Sequence, residues 1–191
     1  MKEFAITIQG KSPLLMNKFT DAAQLAATLG TSSAVRANTE TPQNMAESRL
    51  YTADDGTIGI PQPNLFRCII DSGKFSKIGR VKVTTQKSSL IPACLEIDPL
   101  FIPLKHEQAW TVDSRPVRNP STGGRFLAYR PCFPDWELSF TATLDTEMMG
   151  EVLFRDIVDN AGSKIGLGDF RPDTKGPFGK FLVTRWETVK G

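Results

Sequence analysis

The chain has 191 residues, with 23 Lys and Arg against 21 Asp and Glu, a single His, three Cys, 15 Gly and 13 Pro, for a formal net charge of +2. With 40% apolar and 23% charged residues it has the composition of one globular domain able to bury a core, which excludes a disordered chain, a collagen and a disulfide mini-scaffold. The scattered Cys68, Cys94 and Cys132, without Cys-x-x-Cys spacing or a carboxylate–His pair at helical spacing, leave almost nothing for a zinc site, and any catalytic triad would have to use His106, so no metal or cofactor is expected.

Phe4 to Gln9 alternates with period two and stops at Gly10 and Ser12-Pro13, which predicts a first strand. Charges at Lys2 and Glu3 and this alternation are unlike a signal peptide, no apolar run reaches the length of a membrane span, and the odd, dispersed cysteines suit a reducing compartment as buried thiols; the expectation is a cytoplasmic protein. Asp21 to Leu29 predicts a short helix capped by Thr20 and stopped by Gly30, within a weakly patterned stretch Asn17 to Glu40. Met45 to Tyr51 reads as a short helix or turn, Asp54-Asp55-Gly56 as a tight turn, and Thr57 to Ile60 as a short strand. Pro61, Pro63 and Asn64 open a helix with Leu65, Phe66, Ile69 and Ile70 on one face, ended by Gly73.

Ser89 to Leu104 has β-type runs broken by Pro92, Pro99 and Pro103, hence edge or bulged strands. Ala109 to Asp113 and Arg125 to Arg130 are extended around Asn119-Pro120-Ser121-Thr122-Gly123-Gly124, the tip of a long hairpin. Trp136 to Leu144 alternates as a half-buried strand, Thr146 caps a helix with the stripe Met149, Val152, Leu153, Ile157 and Val158 closed by Gly162, and Lys180 to Val189 is a last strand. The element order, strand, helix, strands, strand, helix, strand, predicts an α+β, ferredoxin-like (RRM-like) antiparallel sheet with two helices on one face and the other face free to bind. Residues 1–191 form one domain, with insertions over about 17–56 and about 112–134.

Charge is segregated along this chain. Lys74, Lys77, Arg80, Lys82 and Lys87 occur with no acid among them, as do Arg115, Arg118, Arg125 and Arg130, while acids gather at Glu40 to Asp55 and Glu137 to Asp159. Such blocks make a basic face suited to phosphate; the same pattern also fits two solvated basic loops. Between the last helix and last strand, Gly166, Gly168, Gly176 and Gly179 let the backbone approach a ligand, so that N–H groups cradle phosphate while Arg171, Lys175 and Lys180 neutralise it; a helix-to-strand turn is the plainer alternative. A dinucleotide-binding fingerprint is excluded, because there the glycines follow a strand and open a helix.

Taken together, Ile165-Gly166-Leu167-Gly168, the polar spacer, Gly176-Pro177-Phe178-Gly179 and the strand after them resemble the C-terminal signature of the RAMP superfamily of CRISPR-associated proteins. Ile6 to Leu15 resembles that superfamily's first strand and Ser-Pro-Leu turn, and the Arg-bearing insertion between Val112 and Pro134 resembles the hairpin thumb of its backbone subunits. Pro13 to Met16 and Arg130 to Trp136 are also similar to phage-borne proteins. The likeness covers both ends of the chain and the middle by pattern alone. It implies a palm that binds single-stranded guide RNA, with the loop role on Gly166, Gly168, Arg171, Lys175, Gly176 and Gly179, thumb contacts on Arg115, Arg118 and Arg125, and a homo-oligomer or filament with other effector subunits. The chain departs from the family in being short for a backbone subunit and in its weakly patterned Asn17 to Arg49.

Some RAMP proteins cleave RNA. His106 lies in a connection between strands and reads as a surface residue; Asp21 lies where a cleavage aspartate would, and equally suits a helix N-terminus. Neither forms a constellation, so the expectation is a non-catalytic single-stranded RNA-binding protein, with a phage or mobile-element single-stranded DNA-binding or structural protein, or a RAMP-type endoribonuclease, as the alternatives. Phe75, Phe126 and Tyr129 are candidates for stacking on bases, Phe126 otherwise filling the hairpin base, and Trp110, Trp136 and Trp186 for the core.

Overall fold

A computed structural model of the chain describes residues 1–20, 28, 40–118 and 123–189. The helix expected over Asp21 to Leu29 (all but Thr28), with Asp21 itself, and the Asn119 to Thr122 part of the expected turn lie outside the described residues.

Alternation builds the main sheet. Strand β1 (Lys2–Gly10) buries Phe4, Ile6 and Ile8 and sits beside β10 (Glu137–Leu144), which buries Leu138, Phe140, Ala142 and Leu144. The two run antiparallel with Phe4 opposite Ala142, Ile6 opposite Phe140 and Ile8 opposite Leu138, so one face of the pair is continuously apolar. Strand β11 (Phe181–Thr188) lies antiparallel on the other side of β1. The far edge of β10 is shared by β6 (Leu95–Asp98), opposite Thr141 to Leu144, and β7 (Phe101–Lys105), opposite Glu137 and Leu138; β3 (Gly59–Pro61) pairs with β7. The spatial order is β11-β1-β10-β7-β3 with β6 beside β10, and every pairing is antiparallel.

Helices α2 (Gln62–Ser72) and α4 (Glu151–Asn160) cover the apolar face. Leu65, Cys68 and Ile69 of the first and Phe154, Ile157 and Val158 of the second are buried, and the Ser72 hydroxyl, 2.7 and 2.8 Å from the Ile69 and Ile157 carbonyls, joins the helices by sharing its one O–H between them. Phe154, Phe4 and Trp186 form an aromatic cluster with centroids 5.3–6.2 Å apart.

Several boundaries differ from expectation for local reasons. Helix α1 (Pro42–Glu47) begins before Met45 because the Thr41 hydroxyl caps it, accepting from Asn44 N–H at 3.2 Å. Helix α4 begins after Gly150 rather than at Thr146, because Asp145 folds Glu147 to Met149 into a turn through its carboxylate and carbonyl. It also passes Gly162 in a wide turn, Ala161–Ile165, and stops at Gly166, whose φ is +77°. The run expected as strand from Ser89 opens as a helical turn, α3 (Ile91–Cys94), which tolerates Pro92 at its start. Of the three tryptophans only Trp136 is fully buried, and Cys132 is half-buried whereas Cys68 and Cys94 are buried.

The long hairpin is present: β8 (Thr111–Arg118) and β9 (Arg125–Phe133) pair from Thr111 opposite Cys132 to Arg118 opposite Arg125. Its base joins the domain through β2 (Leu14–Leu15), which pairs with Phe133 and Cys132. The Gly-rich loop docks on that same segment. Asp169 N–H donates to Leu15 O and Gly179 N–H to Pro13 O, both at 2.8 Å. Here glycine is required by contact: a Cβ on Gly168 would lie 2.4 Å from Leu15 O, and one on Gly179 1.7 Å from Leu167 O, at φ of +78° and +69°.

Gly179→Ala combines backbone overlap with a disfavoured φ and is expected to cost at least about 2 kcal/mol. Gly150→Ser, at an open helix N-cap with negative φ, is expected to be neutral or stabilising. Urea denaturation of both variants checks this; equal midpoints would mean the loop is not held as described.

Candidate nucleic-acid interface

The first basic block folds into a turn and a small hairpin. Lys74 lies in the 3₁₀ turn Gly73–Phe75, and β4 (Lys77–Ile78) and β5 (Val81–Lys82) flank the tip Gly79-Arg80. Lys74, Lys77, Arg80, Lys82 and Lys87 are all exposed. Phe75 is 46% exposed, and the ammonium groups of Lys74 and Lys164 approach its ring to 5.3 and 4.8 Å from the centroid. An exposed ring flanked by lysines is a place where a base can stack beside neutralised phosphate.

The second block lines the long hairpin. Arg115, Arg118 and Arg125 are exposed, and the register sets Arg118 directly opposite Arg125. Like charges opposite one another on a strand pair repel, and an anion across them removes that cost. Phe126 is exposed beside them rather than filling the hairpin base, where Ala128 and Phe133 lie instead, and Tyr129 is half-buried.

The Gly-rich loop touches both blocks. Lys74 Nζ lies 2.7 Å from Asp173 Oδ1, tying the first block to the loop's 3₁₀ turn Pro172–Thr174. The Arg115 guanidinium stacks 4.8 Å from the centroid of Phe178, which in turn lies 6.0 Å from Phe170. Beneath this contact, Arg130 Nε, buried in β9, comes within 2.6 Å of Asp169 Oδ2, off the donor axis, so that charge rather than a linear hydrogen bond holds the pair. Asn17 Nδ2 donates to the same carboxylate at 3.0 Å, Arg49 donates to Asn17 Oδ1, and Asp113 bridges Arg115 at 2.8 Å and Arg130 at 3.9 Å. Burial first, then the nearby charge of Arg130, lowers the Arg49 pKa, and Asp169 opposes both.

One expected device is absent. The loop N–H groups of Gly166, Leu167, Asp169, Phe170, Gly176, Phe178 and Gly179 all donate within the chain, so they do not form a phosphate cradle. What the loop offers outward is side chains: Arg171, which also donates to Gly168 O at 3.1 Å, and Lys175, exposed at a left-handed φ of +65°. Lys180 precedes β11 rather than belonging to it; its N–H is engaged by Ser12 Oγ and its side chain is half-buried.

Two cavities follow from this arrangement. One of about 250 Å³ lies between the loop and α2, with Arg67 and Arg171 on its rim; another of about 500 Å³ lies between α2 and the first basic block, lined by Arg67, Lys74, Lys82 and Thr84 among others. They share Arg67, so a continuous basic track runs from the β4–β5 hairpin past the loop. Cys68 at the bottom of the first cavity is no nucleophile, since burial pushes its thiol up to about 12. Arg67, Arg49, Asp113 and Asp169 escaped sequence reasoning because none lies in a cationic run; the one available signal was an aspartate, Asp169, in the midst of a basic loop.

The uncovered face of the main sheet differs from what an RRM-like sheet suggests. The register places Glu3, Thr143 and Glu96 in one row, Glu187, Ala5, Thr141 and Asp98 in the next, then Arg185, Thr7 and Ser139, then Leu182, Gln9, Glu137 and Lys105. Phe101 of β7, half-buried and on the side of Lys105, is the aromatic of this face beyond those rows, and both bases are paired with acids, Lys105 with Glu137 at 3.2 Å and Arg185 with Glu187 at 2.6 Å. Acid dominates this face. His106 lines none of these surfaces: its Nδ1 is 2.9 Å from Gln108 O and its ring meets Phe133 edge-on at 5.2 Å. Among the described residues no group of three or more His, Cys, Asp or Glu is arranged to hold a metal, and no helix is long and apolar enough to cross a membrane.

Neither a family model nor a curated protein matches the chain. Among solved structures, the fold is similar to that of a chain in the cryo-EM structure of the Type III-B Cmr-beta bound to cognate target RNA, with a TM-score of 0.57 and 10% sequence identity. The match covers 99% of this chain and 61% of that one, so this chain spans less than two thirds of its structural relative. The protein thus has an α+β fold with antiparallel sheets, similar to that of a chain in the Type III-B Cmr-beta structure.

Proposed function

We propose that the chain is a non-catalytic, RAMP-like protein that binds single-stranded RNA along the basic track, as a subunit of a CRISPR-type guide-RNA complex. Its sheet supports a ferredoxin-like palm: taking β6 and β7 as one interrupted strand, the order β11-β1-β10-β6/β7 is that of a split βαβ pair. The observation that carries the reading is the position of the Gly-rich loop, which meets the first basic block through Lys74–Asp173 and the second through Arg115–Phe178. Cations drawn from distant parts of the chain then form one phosphate-binding surface, with Phe75, Phe126 and Tyr129 beside it for stacking. Lys77, Arg80, Lys82, Arg118, Arg125, Arg171 and Lys175 contact phosphates in this reading, and other effector subunits or further copies of the chain are its partners. The acidic sheet face directs the strand to the loop side.

Affinity for a single strand is expected to fall steeply with salt. About seven phosphate contacts predict a loss on the order of 1,000-fold between 50 and 200 mM monovalent salt, measured by fluorescence anisotropy, and a loss under about 3-fold would refute the phosphate account. Arg171→Ala with Lys175→Ala is expected to weaken all sequences alike and to lower the salt slope by about 1.4, the share of two phosphates. RNA and DNA strands of one sequence in competition separate the RNA reading from a single-stranded DNA-binding protein.

Charge removal on the other face is the complementary test. Glu96→Gln with Asp98→Asn is expected to leave RNA affinity within about 2-fold, because these side chains lie across the sheet from the track. A larger loss would place the strand on the sheet face.

A further inference from the structure

We propose that the cavity between the Gly-rich loop and α2 receives one unstacked nucleobase of the bound strand. This deepens the reading above and rests on it. At about 250 Å³ the cavity is smaller than the pockets of about 300–1,000 Å³ that hold drug-sized ligands, and suits a single ring system. Its depth is apolar: Met16, Ile60 and Leu167 are almost fully buried, Cys68 carries a neutral thiol, and Tyr51 adds an aromatic wall. A phosphate gains nothing from such a floor, whereas a planar base does.

The rim narrows the chemistry. Both ends of the Asn17 carboxamide are taken, by Asp169 and Arg49; Arg67 is held by Asp71 at 2.9 Å, and Arg171 by Gly168 O. Asn64, in the first turn of α2, also lines the cavity, and its carboxamide has no partner among the described residues. A carboxamide presents a donor and an acceptor side by side, the complement of a base edge. Phosphate offers acceptors only and would leave the Asn64 carbonyl oxygen unmatched. Each of the four bases has an edge with an adjacent donor and acceptor, so the site binds a base without choosing among them. Arg67 and Arg171 on the rim, the former shared with the neighbouring cavity, then face the phosphates on either side of the inserted nucleotide.

A thermodynamic cycle tests this with the full chain and RNA strands of about 12 nucleotides, one intact and one with every base replaced by an abasic sugar. Wild type is expected to prefer the intact strand by about 10-fold or more, from stacking and base-edge contacts. In Asn64→Leu, which narrows the cavity and removes the carboxamide, and in Asn64→Ala, which only removes the carboxamide, that preference is expected to shrink by about 5-fold, with affinity for the abasic strand unchanged. Two variants of opposite size, each with wild-type thermal melting, separate site loss from misfolding. A preference unchanged within about 2-fold in both variants overturns the base site while leaving RNA binding standing. Failure of wild type to bind either strand overturns the proposed function and this site together.

Discussion

The contact between Arg130 and Asp169 organises the surface of this protein. Arg130 is only 8% exposed, so its guanidinium has been taken out of water at a cost of several kcal/mol, and Asp169 with Asp113 offsets that cost. Removing one member of such a pair leaves a buried charge alone, typically a loss of about 3–5 kcal/mol. The pair joins β9, the base of the long hairpin, to a loop with no regular structure beyond one short turn. Because Asn17 donates to the same carboxylate and Arg49 in turn donates to Asn17, the segment after β2 and the one after α1 are drawn to the same point. Hairpin, loop and entry segment are therefore positioned by one charge.

That arrangement explains how a chain of net charge +2 presents a strongly basic surface. The cations of the first block, the loop and the hairpin gather on one side, while Glu3, Glu96 and Asp98 are delivered by strand register to the other. Opposite fields on two faces orient a polyanion before contact, an effect that net charge alone conceals. The sheet face, though open, lacks the positive charge that single strands need.

The loop shows how glycine can serve packing while looking like ligand binding. Gly168 and Gly179 allow the backbone to lie against Leu15 and Leu167, and the loop's N–H groups are largely consumed in securing that contact. What the glycines supply is placement: they hold Arg171 on the rim of the cavity and Phe178 under Arg115. A glycine pattern in sequence does not distinguish a backbone approaching phosphate from one approaching its own chain, since both need the same missing Cβ.

The period-two alternation of β1 and β10 and the helical stripe of α2 were legible in the residues, because which side chains face the core is decided within one element. The hairpin, too, could be read from Pro, Gly and extended arms. Helix ends were misread where a side chain acted from outside the expected cap, as Thr41 and Asp145 do. The first turn of α2 carried no mark of a site, because Asn64 gains its meaning only beside Met16 and Gly168, residues roughly 50 and 100 positions away. The sequence by itself determined the strands, the main helices and the two blocks of positive charge, all local properties of the chain. Only the tertiary structure decided that those blocks meet at one loop and that the sheet's free face is acidic, because both depend on strand register and on a buried ion pair between residues 39 positions apart.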